Sequence, residues 1–131
     1  MTPFRHQGGV LHCEEVSLAA LAKEVGTPAF VYSAAAMEQE ARTLKQALAG
    51  TGDPLIAFAV KANPSLAVLA TFAAQGLGAD VVSGGEYLRA RKAGIAPERI
   101  VFSGVGKTES EMALALDGGL FQFNVESLAE A

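Results

Sequence analysis

The sequence holds one cysteine, Cys13, and no tryptophan. A single thiol excludes an intrachain disulfide framework, and with only His6 and His12 beside it the soft ligands are too few for a structural zinc site. No metal is expected. Aromatic residues make up 7% of the chain, which disfavours recognition by base stacking. There are 10 basic residues against 14 acidic ones, a formal net charge of −4. The basic footprint of a nucleic-acid binder is therefore absent, as is any polybasic cluster suited to an acidic membrane surface. No run approaches ~20 uninterrupted apolar residues, and the N-terminus lacks the apolar stretch of a signal peptide. The expectation is a cytoplasmic protein of a reducing compartment, with neither nucleic acid nor membrane as partner.

What remains is ample material for a core. Half of the 131 residues are hydrophobic, 18% are charged and mean hydropathy is +0.29. This is too apolar for a disordered chain and enough for a packed domain of ordinary size.

The first 33 residues differ from the rest. Val10–Cys13 is a strand candidate after Gly8-Gly9. Ser17 can cap a helix from Leu18 to about Val25, with Leu18, Leu21, Ala22 and Val25 at helical spacing. Gly26 and Pro28 stop it. Ala29–Tyr32 is a β-rich run, Ser33 caps a second helix from Ala34 to about Ala49, and residues 50–54 form a loop.

From Leu55 onward a strand-plus-helix unit recurs. Strands are expected at Leu55–Ala59, Gly78–Val82, Ile100–Phe102 and Leu120–Val125, and helices at Pro64–Gln75, Gly84–Ala93, Glu109–Asp117 and after Glu126. Asn63-Pro64 is a helix-start signal, and Ser83-x-x-Glu86, Thr108-x-x-Glu111 and Ser127-x-x-Glu130 each have the pattern of a capping box. Such units imply α/β architecture with a parallel sheet covered by helices, either an open doubly wound sheet or a (βα)8 barrel. A barrel typically needs ~250 residues. Four units make about half of one, and the chain stops one turn into an expected helix. An N-terminal fragment of a longer protein is the expectation, with a complete four-stranded protein as the alternative.

Gly104-Val105-Gly106-Lys107-Thr108 invites a phosphate-loop reading, but Val101 and Glu109 stand where the two glycine-rich fingerprints need glycine. The segment is read instead as a loop in which Gly104 and Gly106 allow unusual backbone angles and Thr108 caps the next helix. His6 and His12 read as surface or packing residues, and Cys13 as a small buried apolar one. Lys61 directly follows the first repeated strand, at the end where βα folds build their chemistry. A lysine continuing an apolar strand is partly desolvated, which disfavours its charged form, as a Schiff-base lysine requires. The alternative is a lysine that snorkels from a strand end.

The neighbours of Lys61 bear on that choice. Phe58-Ala59-Val60-Lys61-Ala62-Asn63 resembles the cofactor-attachment segment of the alanine-racemase-like (fold type III) pyridoxal-phosphate-dependent decarboxylases. Asp80-Val81-Val82-Ser83-Gly84-Gly85-Glu86, Ile100 to Thr108, and Phe121 to Ser127 resemble three further blocks, in the order and spacing of the diaminopimelate decarboxylases of bacteria. Gly26 to Tyr32 is also similar.

The resemblance implies an N-terminal (βα)8 barrel joined to a C-terminal β-domain. Residues 1–32 would be the segment that lies with that β-domain, and residues 33–131 the first half of the cofactor-binding barrel. It implies pyridoxal 5'-phosphate as cofactor, carried by Lys61 as a Schiff base, and decarboxylation of meso-diaminopimelate to L-lysine and carbon dioxide by a homodimer. By the same resemblance Asp80 is an acidic neighbour of lysine and cofactor, or else a structural carboxylate at a helix start. Glu86 is a capping partner at a spacing where related decarboxylases place an acidic residue near the site. The ring-stacking histidine, phosphate loop, pyridine-nitrogen partner and substrate-binding arginine and tyrosines belong to later strands. The proton-donating cysteine comes from the partner subunit, and Cys13 does not match it. Ornithine, arginine or carboxynorspermidine decarboxylation, a non-catalytic pyridoxal-phosphate-binding barrel and a cofactor-free α/β interaction module are the alternatives.

Overall fold

A computed structural model of the chain describes residues 2–131. They fall into two compact units, one reaching to Glu40 and the other spanning Ala41–Ala131.

The first unit opens with a three-stranded antiparallel sheet of β1 (Phe4–Gln7), β2 (Val10–Cys13) and β3 (Val16–Ser17), in that order. Gly8 and Gly9 join β1 to β2 with φ of 57° and 81°, the positive pair that a two-residue hairpin of this hand requires. β1 is hidden in the sequence because Arg5 and His6 interrupt any apolar signal. Its pairing with β2 supplies what its composition does not. Cys13 is buried here, as expected of a small apolar residue.

Helix α1 (Leu18–Val25) starts where Ser17 accepts from the Ala20 amide at 3.3 Å. The run Ala29–Tyr32 is in neither sheet, and Phe30 is 90% exposed. β-rich composition makes no strand without a ladder to join. Helix α2 (Ala34–Leu48) begins in this unit and is capped twice over. Ser33 Oγ accepts from the Ala36 amide at 3.0 Å, and Glu14 Oε1 accepts from the Ala35 amide at 3.1 Å and from Ser33 Oγ at 2.7 Å. Those donors hold the Glu14 carboxyl below the usual range, the Ser33 hydroxyl foremost.

The second unit is built on a parallel sheet of β4 (Ala57–Ala59), β5 (Gly78–Val81), β6 (Ile100–Phe102) and β7 (Gln122–Phe123), in sequential order. Helices α3 (Leu66–Ala74), α4 (Gly84–Lys92) and α5 (Glu109–Asp117) make the crossovers. The expected order and parallel sense hold. β6 has its expected bounds, and the other three strands are shorter than their apolar runs, because ladder pairing rather than composition sets their ends.

Alternation along the strands separates two faces. Ala79, Val81, Ile100 and Phe102 are fully buried against Leu69 of α3, Tyr87 and Ala90 of α4 and Ala115 of α5. Phe123 stacks on Phe102 with ring centroids 5.4 Å apart. The other face carries Ala59, Asp80, Val101 and Gln122 in register.

Two expectations fail near the end of the chain. No helix follows Glu126. Residues 128–130, directly before Ala131, form a turn. The Ser127–Glu130 box does not form, because the Glu130 carboxylate turns back to the Glu126 amide at 2.8 Å and to Lys107. Among the described residues no helix is long and apolar enough to cross a membrane.

Candidate cofactor site

The carboxyl ends of the four parallel strands form one rim, and parallel βα folds bind their ligands there. Lys61 lies on that rim. β4 ends at Ala59, and Val60–Ala62 form a single tight turn. Val60 takes the buried place at 0% exposure, and its carbonyl accepts from the Asn63 amide at 3.0 Å. Asn63 Oδ1 then accepts from the Ser65 amide at 3.0 Å and leads into α3. The turn is thus pinned on both sides. Val60 occupies the position inside, and Lys61 is exposed. The amine is accessible on a constrained backbone.

Asp80 lies in β5 opposite Ala59 of β4 and Val101 of β6. It is half-buried on the face away from the helices. Its neighbours there are polar. Ser103 Oγ donates to Asp80 Oδ1 at 2.6 Å, Asn124 Nδ2 donates to Ser103 Oγ at 2.9 Å, and Gln122 Nε2 donates to Asn124 Oδ1 at 2.6 Å. Two backbone bonds carry the ladder one residue past the strand ends and set this row: the Ser103 amide to Val81 O at 2.8 Å and the Asn124 amide to Phe102 O at 2.9 Å. Ser103 and Asn124 therefore lie two residues beyond Val101 and Gln122, on the same face as Asp80.

Carboxylates brace the loops behind the rim. Ser83 Oγ accepts from the Glu86 amide at 3.2 Å, as a cap should, but the Glu86 carboxylate reaches the Val82 amide at 2.9 Å rather than that of Ser83. The reciprocal half of the expected box is missing. Glu111 completes its own box with Thr108 and also accepts from the Gly84 amide at 2.7 Å, which ties α5 to the start of α4. That amide above all, with the Thr108 amide and hydroxyl, holds the Glu111 carboxyl below its ordinary range. A Cβ on Gly84 would sit 2.8 Å from Glu111 Cγ, so the tie needs glycine there.

Lys107 is the residue that sequence reasoning missed. Its side chain is 1% exposed, and Nζ donates to the carbonyls of Gly104 and, at 3.0 Å, Asn124, and pairs with Glu130 at 3.1 Å. A buried ammonium of this kind persists only when fully partnered. Gly104 has the expected positive φ, at 99°, where a side chain would be strained, and a Cβ there would meet Val82 at 3.2 Å, whereas Gly106 needs no such freedom. His6 is exposed and His12 half-buried in the first unit; the ring of His12 meets Val10 O at 3.0 Å. Among the described residues no cluster of three or more His, Cys, Asp or Glu could hold a metal. A concavity of about 360 Å³ lies at the opposite, amino ends of the strands, lined by Lys45, Asp53, Ile56, Leu77 and Arg99 among others, away from Lys61.

The second unit thus has the α/β class of fold, with a sequentially ordered parallel sheet, an exposed lysine after its first strand and a hydrogen-bonded polar row ending at Asp80 beside it. Residues 34–131 match the pyridoxal-binding domain of the pyridoxal-dependent decarboxylases, and the chain belongs to that family. Its relatives include the diaminopimelate decarboxylase of Zymomonas mobilis subsp. mobilis, 56% identical over 99% of this chain and 31% of that protein. Among solved structures, the diaminopimelate decarboxylase of M. jannaschii in complex with L-lysine is similar with a TM-score of 0.87 at 32% identity, over 97% of this chain and 30% of that one. The lysine/ornithine decarboxylase of Vibrio vulnificus with putrescine is more distant, with a TM-score of 0.75 at 25% identity, over 86% of this chain and 30% of that one. The chain thus spans about three-tenths of the length of these relatives.

Proposed function

We propose that the protein carries the lysine-bearing part of a cytoplasmic, homodimeric diaminopimelate decarboxylase, which converts meso-diaminopimelate to L-lysine and carbon dioxide with pyridoxal 5'-phosphate. Residues 33–131 are then the first half of its cofactor-binding barrel, and residues 1–32 a segment that lies with a C-terminal β-domain. The carrying observation is the placement of Lys61, exposed on a pinned turn at the carboxyl rim of a domain whose family binds pyridoxal.

The residues on this rim suit the cofactor. An aldehyde requires an accessible primary amine, and Lys61 offers one on a backbone held by Val60 and Asn63. Lys61 binds the cofactor through that nitrogen, and Asp80 places a negative charge at the same end of the neighbouring strand, where it favours a positively charged nitrogen. When bound, the cofactor supplies the electron sink for the pair left behind as carbon dioxide departs. The helix-facing side of the sheet is closed by Val81, Phe102 and their neighbours, so ligand approach is confined to the polar face.

The test is chemical trapping in the intact protein. Borohydride reduction with pyridoxal phosphate present should fix the pyridoxyl group on Lys61 in peptide mapping, and Lys61→Arg should abolish both labelling and carbon dioxide release. Labelling at another lysine, or undiminished turnover in Lys61→Arg, would overturn the assignment.

A further inference from the structure

The polar row on the open face runs in one direction. Gln122 donates to Asn124, Asn124 to Ser103 and Ser103 to Asp80, at 2.6, 2.9 and 2.6 Å. A primary amide has its acceptor on one side and its donors on the other, and a hydroxyl has a single proton to give. Because Asn124 Nδ2 points at Ser103 Oγ, the Ser103 proton has one place to go, Asp80 Oδ1. Turning the Asn124 amide over would set its oxygen against Ser103 and its nitrogen against the Gln122 nitrogen. Ser103 would then give its proton to Asn124, and Asp80 would lose its donor. Each link therefore sets the orientation of the next.

Ser103 and Asn124 are held in place through their backbones by the extended ladder, so their side chains are free to serve the row. Among the described residues Asp80 Oδ2 accepts no hydrogen bond, so Oδ1 is engaged by the row and Oδ2 is the oxygen left for a ligand.

We propose that Ser103 and Asn124 are positioning residues for Asp80: their one-way hydrogen-bond chain fixes the Asp80 carboxylate with Oδ1 occupied, leaving Oδ2 to pair with the cofactor that Lys61 would hold. Neither touches the reacting atoms. Both act through Asp80, and the inference rests on the reading of Lys61 as the cofactor lysine.

A double-mutant cycle in the intact protein separates action through Asp80 from general damage. The readout is the fraction of Lys61 trapped by borohydride as pyridoxal phosphate is titrated. Ser103→Ala should raise the half-loading concentration about tenfold, the scale of one hydrogen bond to a charged group. Ser103→Thr, which keeps the hydroxyl, should restore loading to within about twofold. In the Asp80→Ala background, Ser103→Ala should add less than about twofold. An equal effect of Ser103→Ala in both backgrounds, or no rescue by threonine, would overturn the proposal. A second measurement stands apart from the cofactor. In NMR spectra, Asp80→Ala should shift the side-chain amide signals of Asn124, although the two residues share no hydrogen bond. Unmoved signals would sink the chain of hydrogen bonds even if Lys61 loads normally. Shifted signals with no loading at Lys61 would leave the chain standing and overturn the cofactor reading instead.

Discussion

Phe102 shows how single side chains divide between holding the fold and serving the rim. It is fully buried on the helix-facing side and stacked on Phe123, and the next residue, Ser103, points the other way into the polar row. Phe102→Ala removes the largest fully buried side chain of the second unit, and losses of this kind cost about 3–5 kcal/mol. Denaturant unfolding should show a fall of that size, while Ser103→Ala should change stability by much less. The place of Lys61, directly after the first parallel strand, was legible at this scale because it ends an apolar run. Its exposure was not legible, because only the turn at Val60–Ala62 determines which of two adjacent residues goes inside. Lys107 was illegible for a related reason. Its burial depends on the carbonyls of Gly104 and Asn124 and on Glu130, three partners spread over 27 residues of sequence.

Among the elements, the helices announce themselves through caps and the strands through apolar runs, and both signals placed most of the second unit correctly. They failed where an element depends on a distant partner. β1 needs β2, and Ala29–Tyr32 finds no ladder. Ser83 and Glu86 likewise form half a box, because the Glu86 carboxylate takes the amide of Val82 instead of that of Ser83. The link from Glu111 to Gly84 also sets a pH dependence. Its folded-state carboxyl lies below the ordinary value near 4.5, so ionised Glu111 stabilises the fold at and above that value. The contribution disappears as pH falls through the depressed folded-state value. Glu111→Gln should therefore lower the melting temperature at neutral pH and flatten its dependence on acid below about pH 4.5. Parallel acid limbs for the variant and the wild type would show that Glu111 takes no part.

For the molecule as a whole, the sheet order leaves β4 and β7 each with one unpaired edge. Val105, Phe121 and Leu128 add exposed apolar surface on the same unit, at 84, 58 and 97%. Open strand edges and exposed apolar groups promote association. Purified as these 131 residues alone, the protein should sediment as oligomers whose size grows with concentration, and monomeric sedimentation at tens of micromolar would contradict this. The two-faced sheet has a further consequence, for how the sequence can vary. Residues that fill the space under the helices alternate, one for one, with residues on the open face. Neighbouring codons in each strand are thus under different selection. Tolerance to substitution along β5, β6 and β7 should rise and fall with every second residue. New substrate preferences could arise on one set of positions while the other keeps the protein folded.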